Sequence, residues 1–208
     1  IDEINQNIDF LIKNQSQSKK FVNLENDNFD KISLKNINFS YQDKDILKSA
    51  AIDIEINKFT SISGESGSGK TTLLNVICGF LNPKNIQLYI DDKLIDANES
   101  ISNLIAYVPQ DKFLFQGEVW KNVSLEYKKE NCDLAKIDYV LSLVKFNGDK
   151  NMLLSSGAQN LSGGQKQRII IARALYFSKK IIILDESTNE LDINSEKNIL
   201  NDIKKIKN

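Results

Sequence analysis

The chain has 208 residues, 41% of them hydrophobic, which suits a single globular domain with a proper core. Its 27 lysines and arginines nearly cancel its 28 acidic residues, leaving a net charge of −1 and no electrostatic pull toward nucleic acid. Two cysteines and no histidine offer no metal spacing, and no apolar run within the sequence approaches the ~18–20 residues needed to span a bilayer.

Residues 1–30 are polar and rich in Asn, Gln and Lys. Ile1, Ile4, Ile8, Leu11 and Ile12 recur at helical spacing ahead of a linker over 14–20. The stretch reads either as a partly ordered tail or as the end of a transmembrane helix reaching the cytoplasm. From Ile32 the pattern becomes strand-like. Ile32, Leu34, Ile37 and Phe39 lead to Tyr41, and residues 51–56 alternate with period two, as a half-buried strand does. Phe59 to Ser63 reads as a further strand, followed by a helix from Thr71 to Cys78 that Gly79 and Pro83 stop. Cys78 reads as a small buried hydrophobe. Strands are expected at Ile86–Ile90 and Ile105–Val108, helical signals between Asp111 and Asn160 with Leu134–Val144 the clearest, and another helix from Ser162. Ile181–Leu184 is a short, wholly apolar run suited to a covered central strand. The order of elements gives an α/β fold with an inserted helical lobe.

Three stretches carry chemistry. Gly64-Glu65-Ser66-Gly67-Ser68-Gly69-Lys70-Thr71 fits the phosphate-loop pattern G-x-x-x-x-G-K-[ST], between a predicted strand and a predicted helix. Its glycines allow tight turns at close range to an anion, and the helix start favours negative charge. Lys70 would reach the β- and γ-phosphates of a nucleoside triphosphate, and the Thr71 hydroxyl would ligate Mg²⁺. Ser162 and Gln165 fit a capping box, so Leu161-Ser162-Gly163-Gly164-Gln165 opens a helix whose bare Gly-Gly end reads as a second anion site or, taken alone, as the flexible entry of an ordinary capped helix. Asp185 ends the apolar strand, where a carboxylate is costly without a metal or a donor, and Glu186 follows it.

Together these stretches resemble the nucleotide-binding domain of an ATP-binding-cassette (ABC) transporter, from about Ile32 to the C-terminus. The resemblance implies a P-loop NTPase core with a mixed or parallel central sheet, an N-terminal antiparallel β subdomain and an inserted α-helical subdomain at about 111–165. It divides the chain into a linker, residues 1–30, and an ATPase domain, residues 31–208. It also implies ATP and Mg²⁺ as ligands, with Gly64, Glu65, Ser66, Gly67, Ser68, Gly69, Lys70, Thr71 and Thr72 around the phosphates. Ser162, Gly163, Gly164 and Gln165 would serve the ATP of a second such domain packed head to tail. Thr71, Gln110 and Asp185 would hold the metal, and Gln110 would also sense the γ-phosphate. Glu186 would polarise the attacking water, and Tyr41 either stacks on adenine or is a core tyrosine at a strand end. Asn189-Glu190-Leu191-Asp192 corresponds to the D-loop, with Asn189 and Glu190 where small residues are more usual.

The family's switch histidine has no counterpart, so the C-terminal part of the domain is expected to be missing and the fragment to bind ATP but hydrolyse it poorly. The segment Phe113–Val123 and the short helical lobe lean toward exporters. So does Ser156-Gly157-Ala158-Gln159-Asn160, although it lacks the usual glutamate of that loop. An exporter would place the domain on the cytoplasmic face of the cell membrane, with its membrane part in the same polypeptide. An importer's ATPase subunit and a non-transport nucleotide clamp are the alternatives.

Overall fold

The computed structural model of the protein describes residues 20–21, 28–95, 99–177 and 179–185, in two compact units that divide between Leu104 and Ile105. The predicted N-terminal helix, Glu186 and the D-loop stretch lie outside the described residues.

In the first unit, β1 (Lys20–Phe21) pairs in parallel with β6 (Glu99–Ser100). The main sheet contains β2 (Lys31–Tyr41), β3 (Lys44–Glu55), β4 (Asn85–Ile90) and β5 (Lys93–Ile95), in the antiparallel order β3-β2-β4-β5. Ile32 and Leu34 face Ile54 and Ile52 on one side and Ile90 and Leu88 on the other, which seats the apolar face of β2 at the sheet centre. Along β3 the expected alternation holds, with Ile52 and Ile54 half-buried and Asp53 and Glu55 exposed. Both residues of the β4–β5 turn, Asp91 and Asp92, have positive φ, which matches the twist of a tight hairpin. The Asp91 carboxylate accepts the amides of Asp30 and Lys31 and ties that turn to the start of β2.

The helix α1 (Lys70–Ile77) follows the glycine-rich loop. It ends as expected at Gly79, whose φ of 77° permits the reversal while Gly79 N–H donates to Val76 O and Phe80 N–H to Asn75 O. Phe59–Ser63 does not form the expected strand. No described residue pairs with it, and Phe59 is 58% exposed, so its weak alternation has no ladder to complete it.

The second unit is built on a parallel pair, β7 (Ile105–Val108) with β10 (Ile181–Leu184). Its other strands and α-helices among the described residues are β8 (Gly117–Glu118), α2 (Val119–Ser124), α3 (Leu134–Leu143), β9 (Leu153–Leu154) and α4 (Gly163–Phe177), with β8 and β9 antiparallel. Asp133 caps α3 by accepting the Lys136 amide at 2.9 Å. Ile137, Val140, Leu141 and Val144 then fall on one face at the i, i+3, i+4, i+7 spacing and enter the core. In α4, Ile169, Ile171 and Ala172 are fully buried against residues of α2, α3 and β7.

This unit is also held by polar ties that the sequence did not announce. Asn122, with 0% exposure, accepts the Phe115 amide at 3.1 Å and donates to the Phe115 carbonyl at 3.0 Å. Arg173 of α4 donates from Nε to the Asn122 carbonyl at 2.7 Å and from its terminal nitrogens to the Phe113 carbonyl. Burial lowers the Arg173 pKa from its ordinary value. Asn122→Ala would strand the Phe115 backbone groups in a part-buried place, so we expect a loss of about 1–3 kcal/mol. Urea unfolding checks this; an unchanged midpoint would show that the tie carries no stability.

Candidate functional site

The glycine-rich loop is open to solvent from Gly64 to Ser68. Its last glycine, Gly69, sits at φ 91° as the N-cap of α1 and offers no side-chain cap, so the helix start is bare. A Cβ built on Gly69 would meet side-chain carbons of Ile46 and Leu47 at 3.3 Å, so both its conformation and the approach of β3 select glycine. Gly67 turns the loop tip at φ 79° with open space around it. Lys70 folds back over this loop, and its Nζ donates to the carbonyls of Gly64 and Glu65, both at 2.8 Å. Thr71 is exposed and Thr72 half-buried on the first turn of α1. Tyr41 ends β2 beside Lys44 in the β2–β3 hairpin, 49% exposed, with its ring perpendicular to that of Phe39 and the ring centroids 4.9 Å apart. The same strand β3 thus carries the hairpin at one point and the contact with Gly69 at another.

In the second unit, Ser162 and Gln165 make a reciprocal box. The Ser162 amide donates to Gln165 Oε1 at 2.9 Å, and the Gln165 amide donates to Ser162 Oγ at 3.2 Å. Ser162 is exposed, and its hydroxyl, having accepted one bond, retains its own proton to donate to an anion. Gly163 and Gly164 supply the first-turn amides between these two capped positions. Lys166 donates to the Gly157 carbonyl at 2.9 Å and braces the segment before the helix.

Gln110 and Asp185 lie just beyond the carboxyl ends of the adjacent parallel strands β7 and β10, the edge where α/β sheets place their ligand chemistry. Gln110 is exposed and Asp185 half-buried. The Asp185 amide continues the ladder by donating to the Val108 carbonyl at 3.0 Å, and its Oδ2 accepts the Tyr107 hydroxyl at 2.8 Å. No cationic side chain pairs with this carboxylate among the described residues, so a hard cation that prefers oxygen ligands fits it. Tyr107, Asn122 and Arg173 were not foreseen as site or support residues. Only the pairing of β7 with β10 reveals Tyr107, because residues from distant parts of the chain share that face.

Residues 47–189 match the family model described as ABC transporter. The chain is similar to "ABC transporter 1" of Ajellomyces capsulatus, 39% identical over 181 residues that cover 79% of this chain and 13% of that protein. It is 34% identical over 199 residues to the microcin-J25 export ATP-binding/permease protein of Escherichia coli, covering 92% of this chain and 34% of the other. The lactococcin-A transport/processing ATP-binding protein of Lactococcus lactis is 33% identical over 205 residues, covering 93% and 28%. These relatives are longer proteins, and the chain spans about a third of their length or less. A bacterial Atm1-family ABC exporter solved with ATP bound has the same fold, with a TM-score of 0.79 at 24% identity over 92% of this chain and 34% of that one.

Proposed function

The chain belongs to the ABC transporter family, and we propose that it is the ATP-binding and ATP-hydrolysing domain that powers export of a substrate across a membrane. The observation that carries this is the pair of open helix starts: a bare α1 behind a lysine-bearing glycine loop, and an α4 start with Ser162 exposed and Gly163 and Gly164 half-buried. One is built to take the phosphates of a nucleotide, and the other to close on them from a second copy of the domain. The names of the microcin and lactococcin relatives favour export over import. In this reading residues 31–208 form the ATPase domain and work at the cytoplasmic face beside a membrane domain of the same polypeptide.

Lys70 exchanges the Gly64 and Glu65 carbonyls for phosphate oxygens, a stronger, charge-assisted partnership. Loop amides and the α1 dipole hold the triphosphate, and the half-exposed Tyr41 offers its ring to adenine. Thr71, Gln110 and Asp185 carry the oxygen donors that would hold Mg²⁺, and the metal would neutralise charge developing on the phosphates. Glu186 takes the water's proton and Gln110 orients the water near the γ-phosphate. Ser162, Gly163, Gly164 and Gln165 bind the partner copy's γ-phosphate, so the closed dimer is favoured only while that phosphate is present.

The test is self-association of the chain by light scattering. With Mg²⁺ and ATP the mass should rise toward twice that of the nucleotide-free chain, and Ser162→Arg should abolish the rise while keeping ATP binding. A chain that stays monomeric at saturating ATP would overturn the proposal.

A further inference from the structure

We propose that Tyr107 is a positioning residue for the metal carboxylate, holding Asp185 in the rotamer that receives the divalent cation. The inference deepens the role given to Asp185 above and rests on it.

The sheet register creates the arrangement. Tyr107 on β7 stands opposite Ile183 on β10, so the two side chains leave the same face of the parallel pair. Asp185 lies two residues beyond Ile183 and therefore emerges on that face as the diagonal neighbour of Tyr107. The hydroxyl spans the diagonal and donates to Oδ2 at 2.8 Å, a good distance for O–H to carboxylate. Meanwhile the Asp185 amide is fixed by the Val108 carbonyl at 3.0 Å. The residue is thus held at its backbone and at one carboxylate oxygen.

That division has a chemical consequence. A carboxylate offers two oxygens and about four lone-pair directions, and the tyrosine takes one of them. Oδ1 remains for a hard cation or for a water in its shell. Aspartate at the end of an apolar strand would otherwise sample several rotamers. The cation would then have to supply the ordering that the tyrosine already provides. A neutral donor suits this task, since a lysine or arginine there would compete with the cation for the same charge.

The test uses the whole chain and reads binding, not turnover. A fluorescent ATP analogue is titrated at rising Mg²⁺, and its affinity is measured again in EDTA. Tyr107→Phe, which keeps the ring and removes only the hydroxyl, should raise the Mg²⁺ concentration at half-effect by about 3- to 30-fold. Affinity for the metal-free analogue should stay unchanged. A Mg²⁺ requirement that does not move, even with a lowered unfolding midpoint, makes the tyrosine merely structural and overturns the proposal. A lowered requirement overturns it too, because the hydroxyl would then be a competitor. Asp185→Asn separates the two levels. If it shifts the Mg²⁺ requirement and Tyr107→Phe does not, only the tyrosine's role fails; if neither shifts it, the assignment of Asp185 fails as well.

Discussion

Lys70→Ala is expected to weaken ATP binding by about 100-fold or more while the chain stays folded. The ammonium is the one cationic side chain in the glycine loop, and in the proposed site its loss would remove charge-assisted bonds to two phosphates, about 3 kcal/mol or more. The folded state loses little, because the Gly64 and Glu65 carbonyls that Lys70 now engages lie on exposed residues and can bond water instead. Stability should therefore change by no more than about 0.5 kcal/mol. Calorimetric titration with ATP beside a thermal melt separates the two effects. Retained affinity would mean that the loop binds no triphosphate through this lysine.

Glu186→Gln is expected to lower ATP turnover of the intact transporter by about 10²–10⁴-fold, the range for losing a general base, with ATP binding preserved. The amide keeps the size of the side chain and its capacity to bond water but cannot take a proton. Because the γ-phosphate then persists between the two domains, the variant should accumulate as an ATP-bound dimer. Single-turnover measurements with labelled ATP, together with sizing of the trapped complex, check both halves. Turnover within a few-fold of the parent would remove Glu186 from its role.

Much of the fold could be read from local patterns. Ile181–Leu184 is a strand with the predicted bounds, and the helix predicted from Leu134 to Val144 runs from Leu134 to Leu143 with its apolar face inward. Such elements are set by periodicity and by caps such as Asp133, which act within a few residues. Phe59–Ser63 went the other way. Its alternation is weak, and a strand also needs a neighbour to bond to, which periodicity cannot supply.

By itself the sequence carries the residues of the proposed chemistry: a glycine loop with its lysine, a Ser-Gly-Gly helix start with its capping box, and a carboxylate pair closing an apolar strand. Those signals survive in one dimension because phosphate binding by backbone amides requires particular residues at fixed, short spacing. Tertiary structure alone decided that Tyr107 faces Asp185 and that Arg173 grips the Phe113 and Asn122 carbonyls. These partners are 78, 60 and 51 positions apart, and only strand pairing and helix packing bring them within bonding distance.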